Sequence, residues 1–403
     1  GLRTNRSRPN LGLGATEYLS AAMDHTDKVV TLINEVRRMG LKLRPPSVNR
    51  SEFRFSVIDG DIIYGLGAVR GVGPMPVESI VQARKAGVEA HKAGRFESLA
   101  EFCLRIDVKR ANKRVIEALI HAGAMDEFGA AGEDLGLVRA KLLGELDQAL
   151  QAADQQSRDA ALGIGDLFGG VGEDRQPALR ATIKPQPFQE RIELERAALG
   201  LYLTGHPAEP HLAEFSEDCQ RLADLRPTEA ARVFGLLIDL RRMHGKKGRN
   251  MGQEWAVAVI DDSTARVEAM VYAKTYERIG HKLEKGQVLV LEGEVQPDEY
   301  NGAHKVIVES ALTIDEWRER SRPVLRIGMN HQDAPSDFSS RLAASLQPYR
   351  VEEGGSPVVV DYQAPKTAGS IRLGWRVKAS EALVTHLRTE YGDDRIRVGA
   401  DSP

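Results

Sequence analysis

Cysteine is almost missing: Cys103 and Cys219 are the only two in 403 residues. That excludes a disulfide framework or a four-cysteine zinc site and fits a reducing compartment. Aromatic residues make up just 5% and the formal charge is -3, so a nucleic-acid surface has to be a local basic patch rather than a property of the whole chain. Long apolar runs are also missing, which leaves no transmembrane span or signal peptide to read and no membrane partner to expect. No initiator Met opens the chain, and the expectation is a processed product or a fragment working in the cytoplasm. The ten histidines show no zinc spacing, and no Ser/His/Asp or Cys/His arrangement stands out. What is present is 42% hydrophobic, enough to give about two to four domains a core each.

Residues 1–15, which include GLRTNRSRPNLGLG, have no apolar period and read as disordered or foreign to the fold. From Thr16 to Met39 the apolar spacing predicts one or two helices closed by Gly40. Phe53, Phe55 and Val57 alternate before Asp59-Gly60, so a short hairpin is expected there. Helical patterns follow over 77–86, 98–105, 112–121 and 135–160, the last shading into a Gly- and Pro-rich stretch at 163–189 that marks a boundary. A helix at Glu190 to Gly200 leads to five alternating strands between Ala231 and Thr313, with a helix-like insert at Ala273 to Leu283, the pattern of an OB barrel. After Trp317 the order strand, helix, strand, strand, helix, strand reads as a split β-α-β repeat. The expected class is α+β and multidomain, divided at 16–130, 131–189, 190–230, 231–316 and 317–403. Asp59-Gly60-Asp61 and Asp261-Asp262 sit at expected turns, where Asp serves local hydrogen bonds rather than a metal.

The stretch YGLGAVRGVG, Tyr64 to Gly73, holds four glycines in ten positions. A dinucleotide fingerprint needs G-x-G-x-x-G after a strand, and Arg70 stands where the third glycine belongs. A helix-hairpin-helix fits better: Gly71 and Gly73 permit a tight turn, Val72 plugs it from beneath, and amides at the start of the next helix meet a phosphate. A glycine-rich junction without a ligand is the plain alternative. A second hairpin candidate is NKRVIEALIHAGAMDEFG, whose apolar face ends at Gly123, with Lys109, Arg110, Lys113 and Arg114 gathered near its start. Tandem hairpins would hold the two strands of duplex DNA through phosphates, blind to sequence.

Three further segments carry candidate contacts. Asp166, Leu167 and Phe168 lie in a glycine-flanked linker with no obvious core, so the apolar pair suits a partner's pocket. Arg241, Arg242, Lys246, Lys247 and Arg249 crowd the loop after the first barrel strand, which together with Trp255 and Tyr300 suits single-stranded DNA, mainly by charge. A solvated hairpin tip is the alternative there. His206, before Pro207, has no acid partner set by spacing and reads as structural.

The blocks MDHTDKVVTLINEVRRMGLKLRPPSVNRSEF, YGLGAVRGVG, NKRVIEALIHAGAMDEFG, ERAALGLYLTGHP and DDSTARVEAMVY, in this order, resemble the C-terminal portion of the C-family replicative DNA polymerases, the bacterial DNA polymerase III alpha subunits. The resemblance runs from about Glu17 to the end. It implies template-directed nucleotidyl transfer by an intact chain. The paired palm aspartates and their Mg²⁺ would lie upstream of Thr16, so no catalytic residue and no cofactor is assigned to these residues. It implies that DLF at 166–168 is a sliding-clamp peptide, with Ile164 where the motif usually has Gln. It further implies that the tail meets the clamp loader's tau subunit and that the other polymerase III core subunits are partners of the intact chain. The translesion paralogue and a stand-alone non-enzymatic hairpin and OB protein remain alternatives.

Overall fold

The computed structural model describes residues 8–23, 25–89, 94–161, 183–215, 218–245, 252–298, 304–331, 336–365 and 367–400. Its contacts divide the chain into two compact units, residues 1–205 and 206–403.

Unit one opens with α1 (Arg8–Ala21) and α2 (Thr26–Arg38). Residues 8–15 therefore belong to a helix, against the reading of that stretch as disordered or foreign. Gly12 and Gly14 lower helix propensity and hide the period, yet Ala15 and Leu19 of the same helix, with Ala22 just after it, join the core. Short strands β1 (Leu43–Arg44), β2 (Ser56–Ile58) and β3 (Asp61–Ile63) follow. Asp59 and Gly60 both have positive φ, 53° and 85°, the primed turn that matches strand twist.

Helices α3 (Pro74–Glu89), α4 (Leu99–Arg105), α5 (Lys113–His121), α6 (Leu135–Ala161) and α7 (Phe188–Leu199) complete the unit. Their starts carry the expected chemistry. Pro74 opens α3, while the Ser98 and Asn112 side chains accept from the N–H groups of Glu101 and Val115.

A buried ion cluster joins α6 to α7. The Arg139 guanidinium donates to Asp126 at 2.7 Å and to Glu195 at 3.0 Å, with side chains of Arg139 and Glu195 only 1% and 0% exposed. The second oxygen of Glu195 accepts from the N–H groups of Leu203 and Thr204, both at 2.7 Å. Ala198, Leu199 and Leu201 share the unit's core. Residues 190–205 thus belong to unit one, and the expected 190–230 connector divides at 205.

In unit two the strands β4 (Thr228–His244), β5 (Glu254–Asp261), β6 (Arg266–Val271), β7 (Val288–Pro297) and β8 (His304–Thr313) form a closed barrel in the order β4-β5-β6-β8-β7. The short helix α8 (Leu212–Phe215) precedes it, and α9 (Ala273–Ile279) sits between the third and fourth strands. This is the OB arrangement expected from the alternation. In the β5–β6 turn Asp261 accepts from Ser263 N–H and Asp262 from Thr264 N–H, while the other Asp262 oxygen accepts from the distant Leu222 N–H. His206 does have an acid near it, Asp261 at 3.4 Å, which a sequence separation of this size concealed.

On the barrel, Glu292 accepts from Arg320, Ser310 and Arg232. The Arg320 hydrogen bond, with those of Ser310 and Arg232 and against the opposing effect of burial, lowers its pKa from 4.5 to about 2. A depressed folded pKa gives stability that is present above the unfolded value and lost as the carboxylate is protonated. The parent should therefore lose barrel stability as pH falls from 4.5 towards about 2. Glu292→Gln should flatten that part of the profile in urea melts; an unchanged slope would refute the assignment.

The capped helix α10 (Ile314–Ser321) leads to a five-stranded sheet ordered β10-β12-β11-β9-β13. Its elements run β9 (Val324–Asn330), α11 (Phe338–Leu346), β10 (Arg350–Val351), β11 (Ser356–Ala364), β12 (Thr367–Val377), α12 (Glu381–Tyr391) and β13 (Ile396–Gly399). The expected β-α-β-β-α-β order holds with one addition, the two-residue β10 between α11 and β11. However, β9 and β11 are parallel neighbours, so the repeat is not split. The sequence shows element order but not which strands pair.

Candidate nucleic-acid interface

The glycines of YGLGAVRGVG do two different jobs. A Cβ on Gly65 would lie 2.7 Å from the Arg54 carbonyl carbon and the Phe53 oxygen, and one on Gly67 would lie 2.5 Å from the Phe53 ring. Those two positions are small because the chain packs on itself. Gly71 has φ +81° and open space around it, and Gly73 also meets nothing within 4 Å.

Gly71 is exposed, Gly73 half-buried and Val72 5% exposed, the expected plug beneath an open turn. Among the described residues the amides of Gly71 and Gly73 form no hydrogen bond. The element before this turn is a single 3-10 turn, Leu66–Ala68, not a full helix. The turn is braced from within unit one: Arg70 N–H donates to Ala198 at 2.9 Å and the Tyr64 hydroxyl to Leu199 at 3.1 Å. Burial raises the pKa of that phenol, so it stays a donor.

The second hairpin is offset from the expected place. Gly123 is buried, and a Cβ there would lie 2.6 Å from the Arg139 guanidinium and 2.8 Å from Asp126. Its positive φ of 79° ends α5 inside the core. The open turn lies instead between α4 and α5, where Asp107 O accepts from Arg110 and Ala111 N–H, both at 3.0 Å. Asp107 Oδ1 accepts from Lys109 N–H at 3.0 Å.

Here Ala111, 0% exposed, takes the plug position that Val72 holds in the first turn. Lys109, Arg110, Lys113 and Arg114 are all exposed around it. Arg110 pairs with Asp107 at 3.2 Å and Lys113 with Asp147 at 2.6 Å; the Asp147 hydrogen bond raises the Lys113 pKa. The two turns are tied together, since Asp107 N–H donates to the Ser79 hydroxyl on α3 at 2.8 Å.

On the barrel, Ala256, Ala258, Ile260, Val267, Ala269 and Val271 point inward, so alternate residues of β5 and β6 face out. Trp255 and Tyr272 stack there with ring centroids 6.4 Å apart, and Met243 lies opposite Trp255. Tyr272 is 50% exposed. Arg241 shares this face and pairs with Glu268. Arg242, one residue on, turns away to an open hollow with Lys274, Tyr276 and His281.

Strand alternation therefore sends Arg241 and Arg242 to opposite faces, and Tyr272 joins the expected Trp255. Tyr272 could have been found by counting outward from the β5–β6 turn, which sets it opposite Trp255. Lys246, Lys247, Arg249 and Tyr300, and likewise Asp166, Leu167 and Phe168, lie outside the described residues. Among the described residues no three His, Cys, Asp or Glu side chains form a group able to hold a metal.

Three family models match these regions: a helix-hairpin-helix motif over 40–135, an OB-fold nucleic acid binding domain over 235–317, and the C-terminal domain of DNA polymerase III subunit alpha over 341–392. Curated proteins named DNA polymerase III subunit alpha are similar over nearly the whole chain. The one from Escherichia coli O157:H7 is 37% identical over 95% of this chain. That from Pseudomonas fluorescens is 38% identical over 94%, and that from Vibrio cholerae 37% over 94%. The chain spans about a third, 32%, of the length of each. The replication factor A related protein of Methanobacterium thermoautotrophicum, a solved structure, covers 24% of this chain at 13% identity and TM-score 0.22, too low to carry an argument. The resemblance to the C-terminal portion of the bacterial DNA polymerase III alpha family stands.

Proposed function

We propose, from a chain that resembles the C-terminal portion of bacterial DNA polymerase III alpha subunits, that it handles DNA for template-directed synthesis while nucleotidyl transfer, with its Mg²⁺, is carried by other parts of the intact polymerase. The observation that carries this reading is the pair of outward turns, Val69 to Gly73 and Asp107 to Asn112. Each has a small apolar plug below and amides or cations above, suited to the two phosphate rails of a duplex. The Trp255 and Tyr272 platform is read as the single-strand site. The DLF segment at 166–168 is read as a sliding-clamp peptide and the C-terminal sheet as the region that meets tau. The match over 341–392 favours the replicative subunit over the translesion paralogue. No described helix is long and apolar enough to cross a membrane.

Single-strand binding tests the barrel. Trp255→Ala with Tyr272→Ala should weaken an oligonucleotide by about tenfold or more, since one stacked base contributes about 1–3 kcal/mol. Lys246, Lys247 and Arg249 to Ala should instead flatten the salt dependence. Anisotropy titrations at two salt concentrations separate the effects, and unchanged curves for both variants would reject the barrel as the site.

A further inference from the structure

The C-terminal sheet has one face covered and one bare. Leu325, Ile327, Val358, Val360, Ile396 and Val398 pack with Leu342, Leu346, Leu383 and Leu387 of the two helices. Alternation sends the intervening residues to the opposite face, where Arg372, Arg376 and Arg397 are exposed while Val324 and Val359 are buried. Register sets Arg397 beside Arg326, Arg326 beside Val359, and Val359 beside Arg372. Arg376 continues the row on β12, and Arg395 stands at the rim of an open trough of about 610 Å³. Val359, in the middle of this row, is only 5% exposed. The acids present are Asp361, which accepts from Arg326 at 3.2 Å and from Ser370 at 2.5 Å, and Asp394 at the edge.

We infer that this bare sheet face is a second track for single-stranded DNA, gripping its phosphates without reading its bases; this rests on the reading that the chain handles single-stranded DNA. The row's cations are arginines, whose planar forks match phosphate oxygens. The remaining exposed surface is Asn330, Gln363, Ala368 and Ser370, which offers no large apolar anchor of the kind a peptide partner needs. The arginine row itself carries no ring, and Tyr362, which lines the trough, is engaged by His331, so the contact is ionic and tolerant of sequence.

The test uses the full chain and a fluorescent single-stranded oligonucleotide, titrated at several salt concentrations. Arg372→Gln, Arg376→Gln and Arg397→Gln, all at exposed positions, are combined. They are measured in the parent and in the Trp255→Ala, Tyr272→Ala background. The expected result is about tenfold weaker binding in both backgrounds and a salt slope shallower by about 2, at roughly 0.7 per lost phosphate. The matching Arg→Lys set should keep the slope, which a general folding defect would not. Should the sheet variant titrate like the parent while the barrel variant weakens, the inference is overturned and the barrel assignment stands. If the sheet variant loses poly-glutamate but keeps the oligonucleotide, the face is an acidic-peptide site and the inference is likewise overturned. If neither variant moves, both readings fall.

Discussion

Arg139→Ala is expected to cost unit one about 3–5 kcal/mol, the loss typical when one partner of a buried ion pair is removed. The reason is what stays behind. Asp126 and Glu195 would lose the guanidinium bonded to both, leaving only the field of the neighbouring Arg191, and Glu195 is fully buried. Burial opposes charge on Arg139 as well, but its hydrogen bonds to Asp126 and the fields of Asp126 and Glu195 outweigh it and hold its pKa above the ordinary value. Burial raises the Asp126 pKa even with Arg139 attached, so without that partner ionisation becomes harder still. Against a typical total of about 5–15 kcal/mol, the melting temperature should drop by roughly 6–20 °C. Arg139→Met with Asp126→Asn and Glu195→Gln should recover most of the loss, because the Gln carbonyl can still accept from Leu203 and Thr204. Urea melts decide the matter; a single variant within about 1 kcal/mol of the parent would show that the cluster contributes little.

The second large effect concerns duplex DNA. Lys109→Ala, Arg110→Ala and Arg114→Ala together should weaken a duplex more than tenfold near physiological salt. The log–log salt slope should become shallower by up to about 2.7, at roughly 0.9 per phosphate. Lys113→Ala should do less, since Asp147 already holds that ammonium at 2.6 Å. Gly123→Ala gives the contrast: the new methyl meets Arg139 and Asp126 at a φ of +79°, so stability should fall while the slope of the folded fraction stays put. A triple variant that titrates like the parent would end the duplex assignment at this turn.

Period and turn chemistry made much of the fold legible. The barrel followed from five alternating strands, the β2–β3 hairpin from Asp59-Gly60, and the first open turn from the order Gly71, Val72, Gly73. What stayed hidden depended on contacts between distant residues. The second turn has no glycine at its bend, because Asp107 closes it with side-chain and carbonyl bonds, whereas Gly123 answers to a positive φ and close packing on Arg139 and Asp126. The stacking of Trp255 on Tyr272 is a matter of strand register. Helix α1 is held by tertiary burial of Ala15 and Leu19 rather than by propensity.

The bond from Asp107 N–H to the Ser79 hydroxyl has a mechanical side. It fastens the second bend to the helix that starts at the first, so the pair acts like the fixed jaws of a gauge rather than two independent fingers. Under the duplex reading, a nucleic acid of different groove width must bend to fit that opening or release one jaw. Cutting the tie with Ser79→Ala should then loosen selectivity between duplex forms before it loosens the grip itself.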